Sequence, residues 1–300
     1  MRDVAEPGAV TGPGLARRLL LASRPVSWIN TAFPFAAAMV LTTGTVDVRT
    51  IIGTLFFLVP YNLAMYGIND VFDYASDAKN PRKGGVEGAL LPPETHRATL
   101  AWSIGLAVPF VVALVAMGGP ASWAVLAVSL FAVVAYSARG LRFKEVPLLD
   151  SITSSTHFVS PAVYGLVLAG ADWTPQLVAI LGAFFCWGMA SHAFGAVQDV
   201  VPDREGGIAS IATVLGARAT VRLAIALWAA AGVLMLLAPW PASLGALVAV
   251  PYIVLAAPFW RVTDASSAAA NRGWRRFLWV NYGCGFLVTM LCIAWAMLGR

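Results

Sequence analysis

Long, unbroken apolar runs alternate with polar connectors along almost the whole chain. The runs show neither strand-like alternation nor a narrow amphipathic stripe. They are apolar on every side, as helices immersed in lipid are. Crossing a hydrocarbon core of ~30 Å takes about 20 such residues. Nine stretches are candidates: 26–43, 51–68, 99–117, 121–138, 151–170, 176–197, 218–238, 242–260 and 277–298. Gly118-Gly119-Pro120 and Pro239-Trp240-Pro241 make tight turns between neighbouring helices. The longer polar connectors are 69–98, 139–150, 198–217 and 261–276. The predicted fold class is all-α, a polytopic membrane protein with nine transmembrane helices.

Composition agrees with that pattern and excludes an ordinary soluble domain. Hydrophobic residues make up 59% and charged residues 12%, against roughly 45–50% and about 25% in soluble proteins. Residues 1–25 form a polar tail; the apolar patch after Arg18 is too short for a cleavable signal. Residues 26–300 form a single membrane domain. Lys and Arg set the orientation, since 18 of the 20 basic residues fall on the tail, on alternate connectors or, for Arg218 and Arg222, at the start of the span that follows one. By the positive-inside rule these face the cytoplasm. The expectation is a multi-pass protein of the cell membrane, N-terminus cytoplasmic and C-terminus on the opposite side. The pI near 9.4 follows from insertion, and no motif suggests a nucleic-acid partner. Cys186, Cys284 and Cys292 sit inside apolar runs without ligand spacing, as packing residues do.

The chemistry concentrates in two acidic clusters. Asn69-Asp70-Val-Phe-Asp73-Tyr-Ala-Ser-Asp77 follows the second run directly, and the i, i+3, i+7 spacing stacks its carboxylates along one helical face. Gln198-Asp199-Val-Val-Pro-Asp203-Arg204-Glu205 closes the sixth run, four helices later. Carboxylates packed together repel unless a cation bridges them. All-oxygen donors match Mg²⁺, which binds through one or two carboxylates plus substrate phosphates. Two such clusters suit one diphosphate, with metal neutralising charge as a leaving group departs. A solvated acidic loop is the plainer alternative.

Basic residues flank both clusters: Arg82 and Lys83 after the first, Arg204 after the second, and Tyr136 to Lys144 at the end of the fourth run. Arg and Lys suit phosphate oxygens, although cytoplasmic basic residues are also expected from topology alone. His192 lies two helical turns before Asp199 on roughly the same face, and His157 lies inside the fifth run. Intramembrane ionisable groups are functional candidates, while a neutral His bonded between helices is a common structural outcome. Tyr61, Asn62, Tyr66 and Tyr164 either line a cavity where aromatic faces stabilise a carbocation or simply pack.

The two motifs together resemble those of the UbiA-type membrane prenyltransferases, which carry N-D-x-x-D-x-x-x-D and D-x-x-x-D-x-x-x-G. Here these read Asn69–Asp77 and Asp199-Val-Val-Pro-Asp203-Arg-Glu-Gly-Gly207. The resemblance covers essentially the whole chain. It implies a nine-helix bundle around a central cavity open sideways to lipid, and transfer of an isoprenyl group from a diphosphate to a hydrophobic acceptor. It further implies Mg²⁺ held by Asn69, Asp70, Asp73, Asp77, Asp199 and Asp203. Donor-binding residues would be Asn69, Arg82, Lys83, Tyr136, Lys144 and Arg204. The catalytic set would be Asp70, Asp73, Lys144, His192, Asp199 and Asp203, with His192 nominated as the base.

Asn80-Pro81-Arg82-Lys83-Gly84-Gly85 departs from the Arg-Pro sequence of many relatives, and Pro202 argues against an uninterrupted helix between Asp199 and Asp203. The segment Asn69–Gly88, with Ser191-His192-Ala-Phe-Gly-Ala-Val-Gln198-Asp199, is most similar to the lycopene elongase branch. That likeness implies dimethylallyl diphosphate as donor and lycopene as acceptor. An aromatic acceptor such as a quinone precursor, or a transporter or lipid-binding role, are the alternatives.

Overall fold

A computed structural model describes residues 14–78 and 90–298. Arg82 and Lys83 lie outside the described residues. Among those described every regular element is a helix.

The chain enters through α1 (Leu15–Ala22), an amphipathic helix, then a single turn at Pro25–Ser27. The following α2 (Ile29–Thr43) is bent by 59° from that entry segment. Gly44, at φ 71°, ends α2 in the left-handed conformation that glycine adopts without strain. Asp47 then caps α3 (Val48–Leu58) by accepting from the Thr50 amide.

Pro60 starts α4 (Pro60–Asp77) because proline lacks the N–H needed to continue α3. This break strands carbonyls in the bilayer, where each needs an internal partner. Asn62 and Thr31 supply it. The Asn62 amide donates to Phe57 O at 2.8 Å and Leu58 O at 3.1 Å, and the Thr31 hydroxyl donates to Phe57 O at 2.7 Å. Asn62 therefore patches a helix break and does not line a cavity. Tyr164, fully buried against Phe35 and Phe57, is likewise core.

The bundle continues through α5 (His96–Met117), α6 (Pro120–Ser137), α7 (Leu149–Ala169) and α8 (Pro175–Val197). Two short helices, α9 (Val200–Glu205) and α10 (Ile211–Leu215), lead to α11 (Ala217–Met235). A 3₁₀ stretch runs into α12 (Ala249–Ala256), and another into α13 (Asn271–Leu298). Two cores result. One gathers Phe35, Met39, Phe56, Phe57, Tyr61 and Tyr164 from the first half. The other gathers Phe194, Trp228, Tyr252 and Phe277 from the second.

Helix α7 stands at the seam, packed against α2, α6 and α8. Close approach there depends on small residues, as in other membrane bundles. A Cβ on Gly165 would meet Phe35 O at 2.9 Å, and one on Gly188 would meet the Ser155 hydroxyl at 2.4 Å.

Seven stretches among the described residues are long and apolar enough to cross a membrane, or eight if the bent α1–α2 pair counts as one. The nine predicted from sequence are not reproduced on those two criteria. The polar connector expected at 69–98 also starts later: α4 runs unbroken through Asp77, so the first acidic cluster is helical.

Candidate active site

Continuous helix through Asp77 puts Asp70, Asp73 and Asp77 on one face of α4, as their spacing requires. All three are buried, Asp70 to 1% exposure. Buried carboxylates need charge partners, and basic side chains from two other segments provide them. Arg24 reaches Asp70 at 2.9 Å and lies 4.2 Å above the Tyr66 ring. Lys144 pairs with Asp73, with Arg142 standing 3.8 Å from the same carboxylate. Arg142 is itself held by Glu145, whose carboxyl the guanidinium holds below the usual range. Asn69 accepts a hydrogen bond from Ser137 at the end of α6.

Backbone strain is concentrated in the same place. Arg24, Arg142 and Leu148 are the non-glycine residues with positive φ, at 49°, 43° and 72°, among those described. Such conformations cost of order 1–3 kcal/mol each and gather at functional sites. Here they turn the chain so that Arg24, Arg142 and Lys144 face the aspartates of α4.

The second cluster follows the break between α8 and α9. Pro202 does not cause that break; it falls in the first turn of α9, where a missing N–H is harmless. The chain interrupts at Gln198–Asp199 instead, and the Asp203 amide donates to Asp199 O at 2.9 Å. Asp199 and Asp203 thus share a helical turn, contrary to what Pro202 suggested. Gln198 is tied to α13 by Asn271 at 2.5 Å. Arg204 is engaged within the protein, donating to Thr213 O and pairing with Asp264, so it braces the loop behind α9.

Tyr136 stands between the two halves. Its ring lies 5.3 Å from His157 and 6.4 Å from His192, and its hydroxyl is within electrostatic reach of Asp73, Asp150 and Arg24. His192 faces Asp150 at 3.6 Å, not the acidic cluster two turns on. Asp150 and Arg24 were not singled out from sequence. Arg24 passed as one more basic residue of the tail. Asp150 had a readable signal, a lone carboxylate at the mouth of an apolar run.

Does this donor set suit a divalent ion? Among the described residues no three His, Cys, Asp or Glu side chains gather as a ready-made cage. Mg²⁺ does not require one, since it usually takes one or two carboxylates and fills its octahedron with phosphate and water. The all-oxygen α4 face and the Asp199–Asp203 turn fit that mode.

The UbiA prenyltransferase family model matches residues 31–283. The chain belongs to the UbiA prenyltransferase family. Among curated UbiA relatives, the C(50) beta-cyclic carotenoids biosynthesis protein LbtBC of Dietzia sp. (strain CQ4) is 56% identical over 297 residues, 99% of this chain and 68% of its own. The lycopene elongase/hydratase of Corynebacterium glutamicum is 52% identical over 279 residues, covering 93% of this chain and 97% of that protein. A UbiA homolog from Archaeoglobus fulgidus, solved with DMAPP and Mg²⁺, shares the fold at TM-score 0.67 and 19% identity. That match covers 91% of this chain and 99% of the other. This UbiA chain is thus an all-α membrane enzyme, with its acidic motifs on helices α4 and α9.

Proposed function

We propose that this UbiA enzyme transfers a dimethylallyl group from its diphosphate to an end of lycopene, as an elongase. The observation that carries the reading is the α4 carboxylate face with Lys144, Arg142 and Arg24 turned onto it by strained backbone. That is a place for a highly charged group at the edge of an apolar bundle. The likeness to a C(50) carotenoid biosynthesis protein and to a lycopene elongase/hydratase favours a carotenoid acceptor over a quinone precursor.

In this reading Asn69, Asp70, Asp73, Asp77, Asp199 and Asp203 hold Mg²⁺, which when bound neutralises charge on the departing diphosphate. Lys144 releases Asp73 and turns to phosphate oxygens, and Arg24 does the same from Asp70. Arg82 and Lys83 are proposed to join them, with Tyr136 closing the inner side. Arg204 takes part only if it leaves Asp264 and Thr213; otherwise it shapes the loop behind Asp203. The allylic C–O bond breaks and its electron pair leaves with the diphosphate. The terminal double bond of lycopene captures the allylic cation, which leaves a tertiary cation on the elongated chain. Apolar walls keep bulk water from the first cation. The distribution of basic residues favours the cytoplasmic face for this chemistry.

Membranes carrying the enzyme, incubated with Mg²⁺, dimethylallyl diphosphate and lycopene, should yield pigments heavier by one or two five-carbon units in mass spectra. Unchanged lycopene beside a prenylated aromatic compound in the same membranes would overturn the acceptor. Activity unaffected by chelation of divalent ions would overturn the metal.

A further inference from the structure

Asp150 is the most deeply buried carboxylate that the diphosphate chemistry above does not use, at 0% exposure. Four elements meet on it. Its Oδ1 accepts from the Ser151 amide at 2.6 Å and its Oδ2 from the Ile211 amide at 2.7 Å, joining α7 to α10. From α8, His192 Nε2 stands 3.6 Å from Oδ2. From α6, Tyr136 closes over the imidazole edge-on at 6.4 Å. Receiving two amide N–H groups is the behaviour of an ionised, acceptor-only carboxylate. An ionised carboxylate beside an imidazole fixes its tautomer and ring orientation. With Nε2 turned to Asp150, Nδ1 is left as the nitrogen that accepts a proton.

Position along α8 says which proton. His192 lies on α8, seven residues before Asp199 and on the bundle side of the α8–α9 break. A diphosphate held at the acidic clusters would point its five-carbon group inward, with the acceptor carbons joined at its reacting end. In that pose the imidazole would face the newly joined carbons, while Lys144 and Arg24 would face the leaving group. His157 and Tyr136 are the other titratable side chains facing it, and Asp150 is its charged neighbour.

We propose that Asp150 and His192 form the proton-accepting dyad that ends the reaction, deprotonating a water as it adds to the tertiary cation. Water oxygen forms the new C–O bond, and the pair of the broken O–H bond stays on oxygen. The proton passes to His192 Nδ1, and Asp150 stabilises the imidazolium. His192 is the catalytic base; Asp150 is the positioning residue. The proposal rests on the elongase reading, since only the captured double bond creates this cation.

The test is the partition between hydroxylated and dehydrated elongated products, from dimethylallyl diphosphate, lycopene and Mg²⁺, resolved by chromatography and mass. In His192→Gln the kcat for hydroxylated product should fall by about 100-fold, the lower end of general-base effects. The donor KM should stay within about twofold, because ground-state binding is untouched. Elongated alkene should replace the alcohol. Asp150→Asn, which keeps the volume and one amide acceptor, should move the partition the same way by a smaller factor. Elongated products in unchanged proportion, in whichever variant assembles, would overturn the dyad while leaving the elongase reading intact. Both products falling together would mark a purely structural pair and overturn it equally. Wild-type membranes giving no elongated carotenoid would overturn the acceptor reading and the dyad with it.

Discussion

Single side chains decide how the acidic face of α4 tolerates burial. Arg24 contributes a charge-assisted hydrogen bond to Asp70 and a guanidinium face over Tyr66. Replacing it with Ala should lower stability by about 2 kcal/mol, in the range of hydrogen bonds to charged groups. Arg24→Lys should recover only part of this, because a lysine lacks the planar fork that stacks and donates together. Thermal unfolding in detergent measures both, and an Arg24→Ala variant as stable as wild type would refute the assignment. Lys144 makes a kinetic prediction instead. Lys144→Ala should raise the donor KM and lower kcat, while Lys144→Arg keeps the charge and restores a share of both; steady-state diphosphate release reads the difference. Motif residues were legible in the sequence because carboxylates at i, i+3 and i+7 directly after an apolar run are costly without a ligand to hold. Arg24 was not, because its significance depends on a left-handed backbone at one residue, which carries no compositional signature. Arg204 shows the converse: its type and place suit a phosphate, yet Asp264 and Thr213 take its guanidinium.

Helices were predicted from hydropathy alone, but their joints depend on particular polar residues. The α3–α4 break needs Pro60 to open it and Asn62 with Thr31 to satisfy the carbonyls it exposes. Sequence showed Asn62 as a polar residue in an apolar run, and without the break in view a cavity was an equal reading. At the seam, Gly165→Ala should cost about 1–3 kcal/mol, the usual range for overpacking, because the added methyl meets backbone and not a movable side-chain tip. A melting temperature equal to wild type would show that α2 and α7 separate more easily than their contact suggests. The α3 cap adds a pH dependence. Hydrogen bonds from the Thr50 amide and then Arg49 pull the Asp47 carboxyl from 3.8 down to about 2. A depressed folded value means stability present above the unfolded value and lost as pH falls through the folded one. Unfolding scans should therefore show wild type losing this contribution between about pH 4 and pH 2, and Asp47→Ala lacking it at every pH. A cap removed this way costs about 1 kcal/mol. Identical acid profiles for the two proteins would count against the cap.

The number of crossings is a property of the whole molecule, and here composition and geometry give different answers. Seven stretches pass on length and apolarity, or eight with the bent pair, and α7 is not among them. Its sequence explains why: Asp150, Ser151, Thr153, Ser155, His157 and Ser160 lower its mean hydropathy, and all of them are buried in the bundle. A helix shielded from lipid has no need to be apolar, so apolarity alone underrates the most central element. Geometry argues that α7 crosses. Its first turn follows the segment whose Lys144 pairs with Asp73 on α4, and near its last turn Leu168 O accepts from Arg49 beside the α3 cap. Twenty-one residues at 1.5 Å cover about 31 Å, a full hydrocarbon core. If α2 also crosses, the count becomes odd and the two termini should fall on opposite sides, the arrangement the distribution of Lys and Arg predicts. Single cysteines at Thr45 and Asp172 should then react with a membrane-impermeant thiol reagent from outside intact cells. One at Gly140 should react only after the membrane is opened. These would be placed in a background with Cys186, Cys284 and Cys292 replaced by Ala. Labelling of Gly140 and Asp172 from the same side would leave α7 as a re-entrant segment. The C-terminus would then lie beside the N-terminus, and the cytoplasmic placement of one acidic cluster would fail.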